Sequence, residues 1–113
     1  AGRRIAILGD MLELGADEEA FHSQLAGNVM AADVDLTFTV GRRMLNLRDA
    51  LSPARRGVHT EIASQIIIPA IFALGRGDVV LVKGSQGTDM VSVVQALLAA
   101  SDGHDVLAVK PTH

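Results

Sequence analysis

Short apolar runs alternate along this 113-residue chain with amphipathic stretches of about ten to fifteen residues, and that alternation predicts an α/β fold. The expected architecture is a three-layer αβα sandwich around a mostly parallel sheet. Two further observations support it. Ile5-Ala6-Ile7-Leu8 and Val79-Val80-Leu81-Val82 are continuously apolar, as strands buried on both faces must be. Each run also ends at a small residue beside a polar one, Gly9-Asp10 and Lys83-Gly84-Ser85, where open parallel sheets hold their ligands. Glycine at such an end lets backbone N–H groups come close to a ligand.

The first strand spans roughly Arg4 to Leu8. A loop through Met11 and Gly15 leads to Asp17, which can cap a helix from about Glu18 to Ala32, with Glu18 and Glu19 favourably placed in its first turn. Phe21, Leu25, Val29 and Ala32 form its apolar stripe. Gly27 weakens that helix by about 1 kcal/mol relative to alanine, so it reads either as a close helix–sheet contact or as a tolerated weakness. Leu36 to Val40 alternates apolar residues with Thr37 and Thr39, predicting a strand with one face less buried, nearer a sheet edge. A shorter helix from Arg42 to Leu51 turns Met44, Leu47 and Leu51 inward and stops before Ser52-Pro53.

Ala54 to Gly57 reads as linker and Val58-His59 as a minimal strand. Thr60 is expected to cap the next helix, which runs to Leu74 with Ala63, Ile66, Ile67, Ala70, Ile71 and Leu74 inward and a bend at Pro69. Gly75-Arg76-Gly77-Asp78 is a tight turn into the strand Val79 to Lys83. A last helix from about Asp89 or Met90 to Ala100 turns Val91, Val94, Leu97 and Leu98 inward, and Val106 to Val109 reads as a final strand.

Composition narrows the function. Hydrophobic residues make up 49% of the chain and charged ones 20%, which argues for one well-filled domain over residues 1–113. With three Phe and no Trp or Tyr, the chain lacks the aromatic platforms of single-strand binders, and a net charge of -3 lacks the basic stripe that binds a phosphate backbone. No nucleic-acid partner is expected. The absence of cysteine removes disulfides and thiolate chemistry and fits a cytoplasmic protein. The longest apolar run, Ile66 to Leu74, is too short to span a bilayer and contains Pro69. Nothing at the start reads as a signal peptide, and the abrupt start is what a domain cut from a longer protein would show.

No glycine-rich dinucleotide fingerprint and no P-loop occurs. Lys83-Gly84-Ser85-Gln86-Gly87 has the ingredients of an anion cradle, though ordinary strand-to-helix turns use the same residues. Asp10 and Glu13 can hold Mg²⁺ through water, receive a substrate ammonium, or simply be solvated loop acids. His22 reads as a helix-surface or interhelix residue, and His104 and His113 as tail residues. No two histidines have metal-ligand spacing, so no metal site is expected. Ser85 lacks the elbow of a hydrolase nucleophile, and no catalytic residue is assigned.

The stretch Gly2-Arg3-Arg4-Ile5-Ala6-Ile7-Leu8-Gly9-Asp10-Met11-Leu12-Glu13-Leu14-Gly15, together with Gly77-Asp78-Val79-Val80-Leu81-Val82-Lys83-Gly84-Ser85, resembles the C-terminal domain of the bacterial Mur ligases. Phe38-Thr39-Val40-Gly41 resembles that family's strand ending in Val-Gly, and the likeness runs from about Gly2 to Ala99. The resemblance implies a Rossmann-like sheet and an ATP-dependent amide ligase of peptidoglycan precursor synthesis, cytoplasmic and bearing on cell shape and division. The member most resembled joins D-alanyl-D-alanine to UDP-N-acetylmuramoyl-tripeptide. In that reaction the tripeptide carboxylate becomes an acyl phosphate, which the incoming amine attacks. ATP and Mg²⁺ would be bound mainly by a central domain that carries the P-loop. By the same resemblance, Gly9, Asp10 and Glu13 lie on the interdomain, nucleotide side of a cleft, while Lys83, Gly84 and Ser85 help form the pocket for the incoming substrate.

Two departures stand out. The family's domain begins with a further strand and helix, so this chain reads as truncated at its N-terminus, with a sheet flank left open to self-association. The family also often has arginine after the lysine-glycine-serine turn, where this chain has Gln86. Two other classes stay open on the sequence: a receiver-like signalling domain, for Val109-Lys110-Pro111, and a noncatalytic αβα binding module.

Overall fold

Five strands pair into one sheet: β1 (Arg4–Gly9), β2 (Leu36–Val40), β3 (Arg56–Thr60), β4 (Val79–Lys83) and β5 (Asp105–Val109). They are seen in a computed structural model that describes residues 2–10, 27, 29–84, 89–100 and 105–109. The strand order is β3-β2-β1-β4-β5, and every pairing is parallel. The chain therefore builds outward from β1 in one direction, then returns to β1 and builds outward in the other. That order is the doubly wound, Rossmann-like one; receiver domains follow the order 2-1-3-4-5 instead, which removes the receiver-like alternative.

Pleating divides β1 between two cores. Ile5 and Ile7 join Phe38, Val40, Val80 and Val82 on one face, under the helices α2 (Ala63–Ala73) and α3 (Met90–Ala99), which supply Ala63, Ile66, Ala70, Met90, Val93 and Leu97. Ala6 and Leu8 face the other way, against Val29, Met44, Leu47 and Leu51 around the short helix α1 (Leu45–Ala50). Helices on both faces of a parallel sheet make the three layers expected. α1 follows a 3₁₀ turn at Arg42–Met44 and stops where Leu51 becomes extended, ahead of Pro53.

Several local expectations are corrected. β2 is not at an edge: β1 and β3 flank it, and Thr37 and Thr39 are fully buried because α1 and its turn cover their face. β3 begins at Arg56, so the whole of the supposed linker, Ala54 to Gly57, is strand or a 3₁₀ turn (Pro53–Arg55). Thr60 ends β3 and caps nothing; its hydroxyl donates to the Ile62 carbonyl, and α2 starts at Ala63 without a side-chain cap. Gly27 is helical but exposed, and a Cβ there would meet nothing, so no close sheet contact explains it. In α3 the buried residues are Met90, Val93 and Leu97, while Val91 and Leu98, expected inward, face out. The loop from Met11 to Gly15, the helix from Asp17 through Ala26, His22, His104, Lys110-Pro111 and His113 lie outside the described residues.

At the amino end of the sheet, Asp78 ties three segments together. Its carboxylate accepts the Arg3 N–H at 2.8 Å, the Gly75 N–H at 2.8 Å and the Arg3 guanidinium at 3.1 Å. The same guanidinium donates to the Ala73 carbonyl at the end of α2. Burial opposes the charge on Asp78, but the two backbone N–H groups and the Arg3 side chain outweigh it and hold the carboxyl below its ordinary value.

Candidate functional site

The strand order reverses between β1 and β4, and in open α/β sheets the crevice beyond the carboxyl ends of two such strands is where ligands bind. Leu8 is in register with Lys83, so Gly9-Asp10 and Gly84 leave the sheet side by side. The two junctions singled out in the sequence thus form one locus. Of the six residues assigned to it, Gly9, Asp10, Lys83 and Gly84 are brought together; Glu13 and Ser85 lie outside the described residues.

The two sides differ in chemistry. Asp10 is buried and committed to its neighbours. Its N–H donates to the Val40 carbonyl (3.0 Å), one carboxylate oxygen accepts the Met44 N–H (3.0 Å), and the other lies 3.7 Å from the Arg43 guanidinium. The carboxylate thereby holds the N-terminus of the 3₁₀ turn that follows β2. Gly41 makes this possible. Its φ of 99° disfavours any side chain, and a Cβ would come within 2.4 Å of the Asp10 carboxyl. Gly41 also donates to the Thr60 carbonyl (2.8 Å), so the carboxyl ends of β1, β2 and β3 are laced in sequence.

Lys83 presents the opposite picture. Its side chain is half-buried at the last position of β4, on the strand face opposite Val80 and Val82, and no acid among the described residues pairs with it. Asp89, the obvious local partner, instead accepts the Ser92 hydroxyl at 3.0 Å. A half-buried lysine at the end of a strand can lay its stem on apolar surface and is suited to meeting an anionic group. Gly84 beside it is buried.

Sequence reasoning missed the partners of Asp10, namely Gly41, Arg43 and Met44, some thirty positions away; the Val40-Gly41 ending was noted without its contact. It also missed His59, whose Nδ1 is 2.7 Å from the Thr39 hydroxyl oxygen and whose Nε2 is 3.9 Å from the Glu61 carboxylate. Register places Thr39 opposite His59, but nothing local in the sequence announces it. Among the described residues no three acidic or histidine side chains gather as a metal site. With Asp10 already engaged and no P-loop in the sequence, the described residues do not by themselves fit a nucleoside triphosphate with Mg²⁺.

Comparison with known proteins is consistent with this arrangement. The family described as "Mur ligase, glutamate ligase domain" matches residues 1–86. Among curated proteins, the UDP-N-acetylmuramoyl-tripeptide--D-alanyl-D-alanine ligase of Escherichia coli (strain K12) is 35% identical over 99 residues, 85% of this chain and 21% of the relative. The protein of the same name from Synechocystis sp. (strain ATCC 27184 / PCC 6803 / Kazusa) is 32% identical over 100 residues, 86% of the chain and 22% of the relative. That of Bacillus subtilis (strain 168) is 28% identical over 102 residues, with shares of 86% and 22%. The chain spans about a fifth of the length of these relatives. Its match to the family over both strand-end junctions, on a doubly wound sheet that brings them together, shows that the chain belongs to the Mur ligase family, as its C-terminal domain.

Proposed function

We propose that this chain is the closing domain of a cytoplasmic, ATP-dependent amide ligase that adds D-alanyl-D-alanine to UDP-N-acetylmuramoyl-tripeptide in peptidoglycan precursor synthesis. The observation that carries the reading is the pairing of Lys83-Gly84 with Gly9-Asp10 at the switch point, in a chain whose named relatives all carry that activity in their names. Lys83 and Gly84, with Ser85, form this domain's part of the pocket for the incoming dipeptide, and the ammonium of Lys83 meets its carboxylate. Gly9, Asp10 and Glu13 line the side towards the nucleotide. Asp10 serves there by holding the turn after β2, which sets the shape and stiffness of that wall, and not by ligating the nucleotide.

ATP and Mg²⁺ are held mainly by a central domain, and ATP supplies the phosphoryl group that activates the tripeptide carboxylate. What this chain contributes is positioning: it brings a fixed cation and a narrow glycine floor to the incoming substrate and excludes water when the cleft closes. No helix among the described residues is long and apolar enough to cross a membrane.

The test is steady-state kinetics of the full-length ligase that contains this domain, with Lys83→Met. The expected result is a tenfold or greater fall in kcat/KM for D-alanyl-D-alanine with little change in KM for ATP. Unchanged kinetics in a folded variant would remove Lys83 from the pocket. A full-length protein that binds the dipeptide but never ligates it would favour the noncatalytic binding module.

A further inference from the structure

The outer surface of the α2–α3 layer is unlike the rest of the chain. Neither α2 (ASQIIIPAIFA) nor α3 (MVSVVQALLA) contains a charged residue, although charged residues make up 20% of the sequence. The two helices pack against each other on one face of the sheet. Their inward positions are filled by small and aliphatic residues, and their outward positions carry four large apolar side chains beside the uncharged Ser64, Gln65 and Gln95. Ile68 and Phe72, one turn apart on α2, are 64% and 85% exposed; Val91 and Leu98, two turns apart on α3, are 60% and 56% exposed. These four side chains expose roughly 500 Å² of apolar surface, at the upper end of the largest patch usual for a monomer, about 300–600 Å².

We propose that this face is where two copies of the chain associate, α2 and α3 of one against α2 and α3 of the other about a two-fold axis. An isologous contact sets a surface against itself, so any charge on it near the axis faces its own sign. A surface without charge escapes that penalty, and it offers nothing to a partner that binds through charge. The area is suited too. A stable interface buries about 800 Å² on each partner, and roughly 500 Å² of apolar surface, together with the exposed Ser64 and Gln65 on α2 and Gln95 between Val91 and Leu98 on α3, comes near that size. Packed helices also present the ridges and grooves by which two such layers interlock.

Sedimentation equilibrium of the full-length ligase, and of the 113-residue chain beside it, tests the proposal. Both should dimerise at micromolar concentration. Phe72→Glu combined with Leu98→Glu places two like charges on each copy and should raise the dimer Kd at least a hundredfold. Phe72→Ala, which removes no core contact, should raise it about tenfold, and far-UV dichroism with a thermal melt confirms that each variant is folded. Val58→Lys, on the open edge strand β3, should leave the dimer intact. A monomer at 100 µM, or a dimer indifferent to the α2–α3 variants, overturns the proposal. So does a dimer lost only in Val58→Lys, which gives the contact to the sheet edge. Dimerisation of the short chain that is absent from the full-length ligase overturns it as well, by giving the face to another domain.

Discussion

Replacing Gly41 with alanine introduces two separate costs, and the surroundings of Asp10 allow them to be measured apart. The first is conformational: at φ 99° a Cβ is unfavourable by roughly 1–2 kcal/mol wherever it occurs. The second is steric and specific, since the new Cβ would lie within 2.4–2.5 Å of three atoms of the Asp10 carboxyl group. That carboxylate cannot swing away cheaply. It is buried, it accepts the Met44 N–H, and Arg43 stands beside it. Moving it strains a packed site, typically by about 1–3 kcal/mol. Gly41→Ala should therefore lose roughly 2–5 kcal/mol, a large part of the 5–15 kcal/mol that holds a domain folded. Asp10→Ala should cost less than Gly41→Ala, because Met44 N–H retains the Gly41 carbonyl at 3.2 Å and the half-exposed Arg43 reaches water. In the double variant the collision is gone and only the φ cost of the Gly41→Ala change remains. Urea melts of the four proteins then close a cycle in which the combined loss falls short of the summed losses by about 1–3 kcal/mol. Strict additivity would refute the argument that Gly41 is required by the Asp10 carboxylate.

Asp78 predicts a pH dependence whose sign follows from its lowered pKa. Its contribution is fully present above the unfolded carboxyl value of 3.8 and is lost as pH falls through the lower folded value. The stability gap between the parent and Asp78→Asn should accordingly shrink below about pH 3.8, and a gap that widens on acidification contradicts the assignment. At neutral pH Asp78→Ala should cost roughly 2–4 kcal/mol, mainly because the Arg3 and Gly75 N–H groups lose their acceptor; the guanidinium is half-exposed, keeps the Ala73 carbonyl and adds little. Lys83→Met should change stability by less than about 1 kcal/mol while lowering kcat/KM for the dipeptide about tenfold, equivalent to about 1.4 kcal/mol of transition-state binding. The 113-residue chain alone should release no ADP from ATP with both substrates present; turnover near 1 s⁻¹, an ordinary enzyme rate, would contradict the division of labour proposed.

What could be read from the sequence depended on the range of the interactions involved. β2 and β4 were found at their observed bounds, because a short apolar or alternating run between glycine and aspartate punctuation is a local signal. α1 ended where Pro53 required. Thr60 misled for an equally local reason: threonine before an apolar stretch resembles a cap, but here the strand continues to Thr60 and the hydroxyl is spent on Ile62. Val91 and Leu98 were assigned inward because a helix without charged residues has no polar face to exclude them. At the site, the two strand ends were legible as separate features and their adjacency followed from fold class. The commitment of Asp10 was not legible, since its partners Gly41 to Met44 belong to the next strand's exit. The burial of Thr37 and Thr39 was hidden likewise, because it depends on where α1 lands.

The position of β1 has a kinetic consequence. β1 precedes both of its neighbours in the chain and lies between them: it can pair with β2, and β2 with β3, long before β4 is available. Arg3 must wait for Asp78, 75 positions later, before the second half of the sheet locks to the first. Closing so long a loop is slow, and until then Ile5 and Ile7 sit on a strand with one unpaired edge. During synthesis this edge is the exposed, aggregation-prone intermediate of the chain. The seam between β1 and β4, which waits for this long loop, is also the one that opens onto the crevice. A ligand held between Gly9 and Lys83 would grip both halves at once, so it should slow unfolding along that seam above all others.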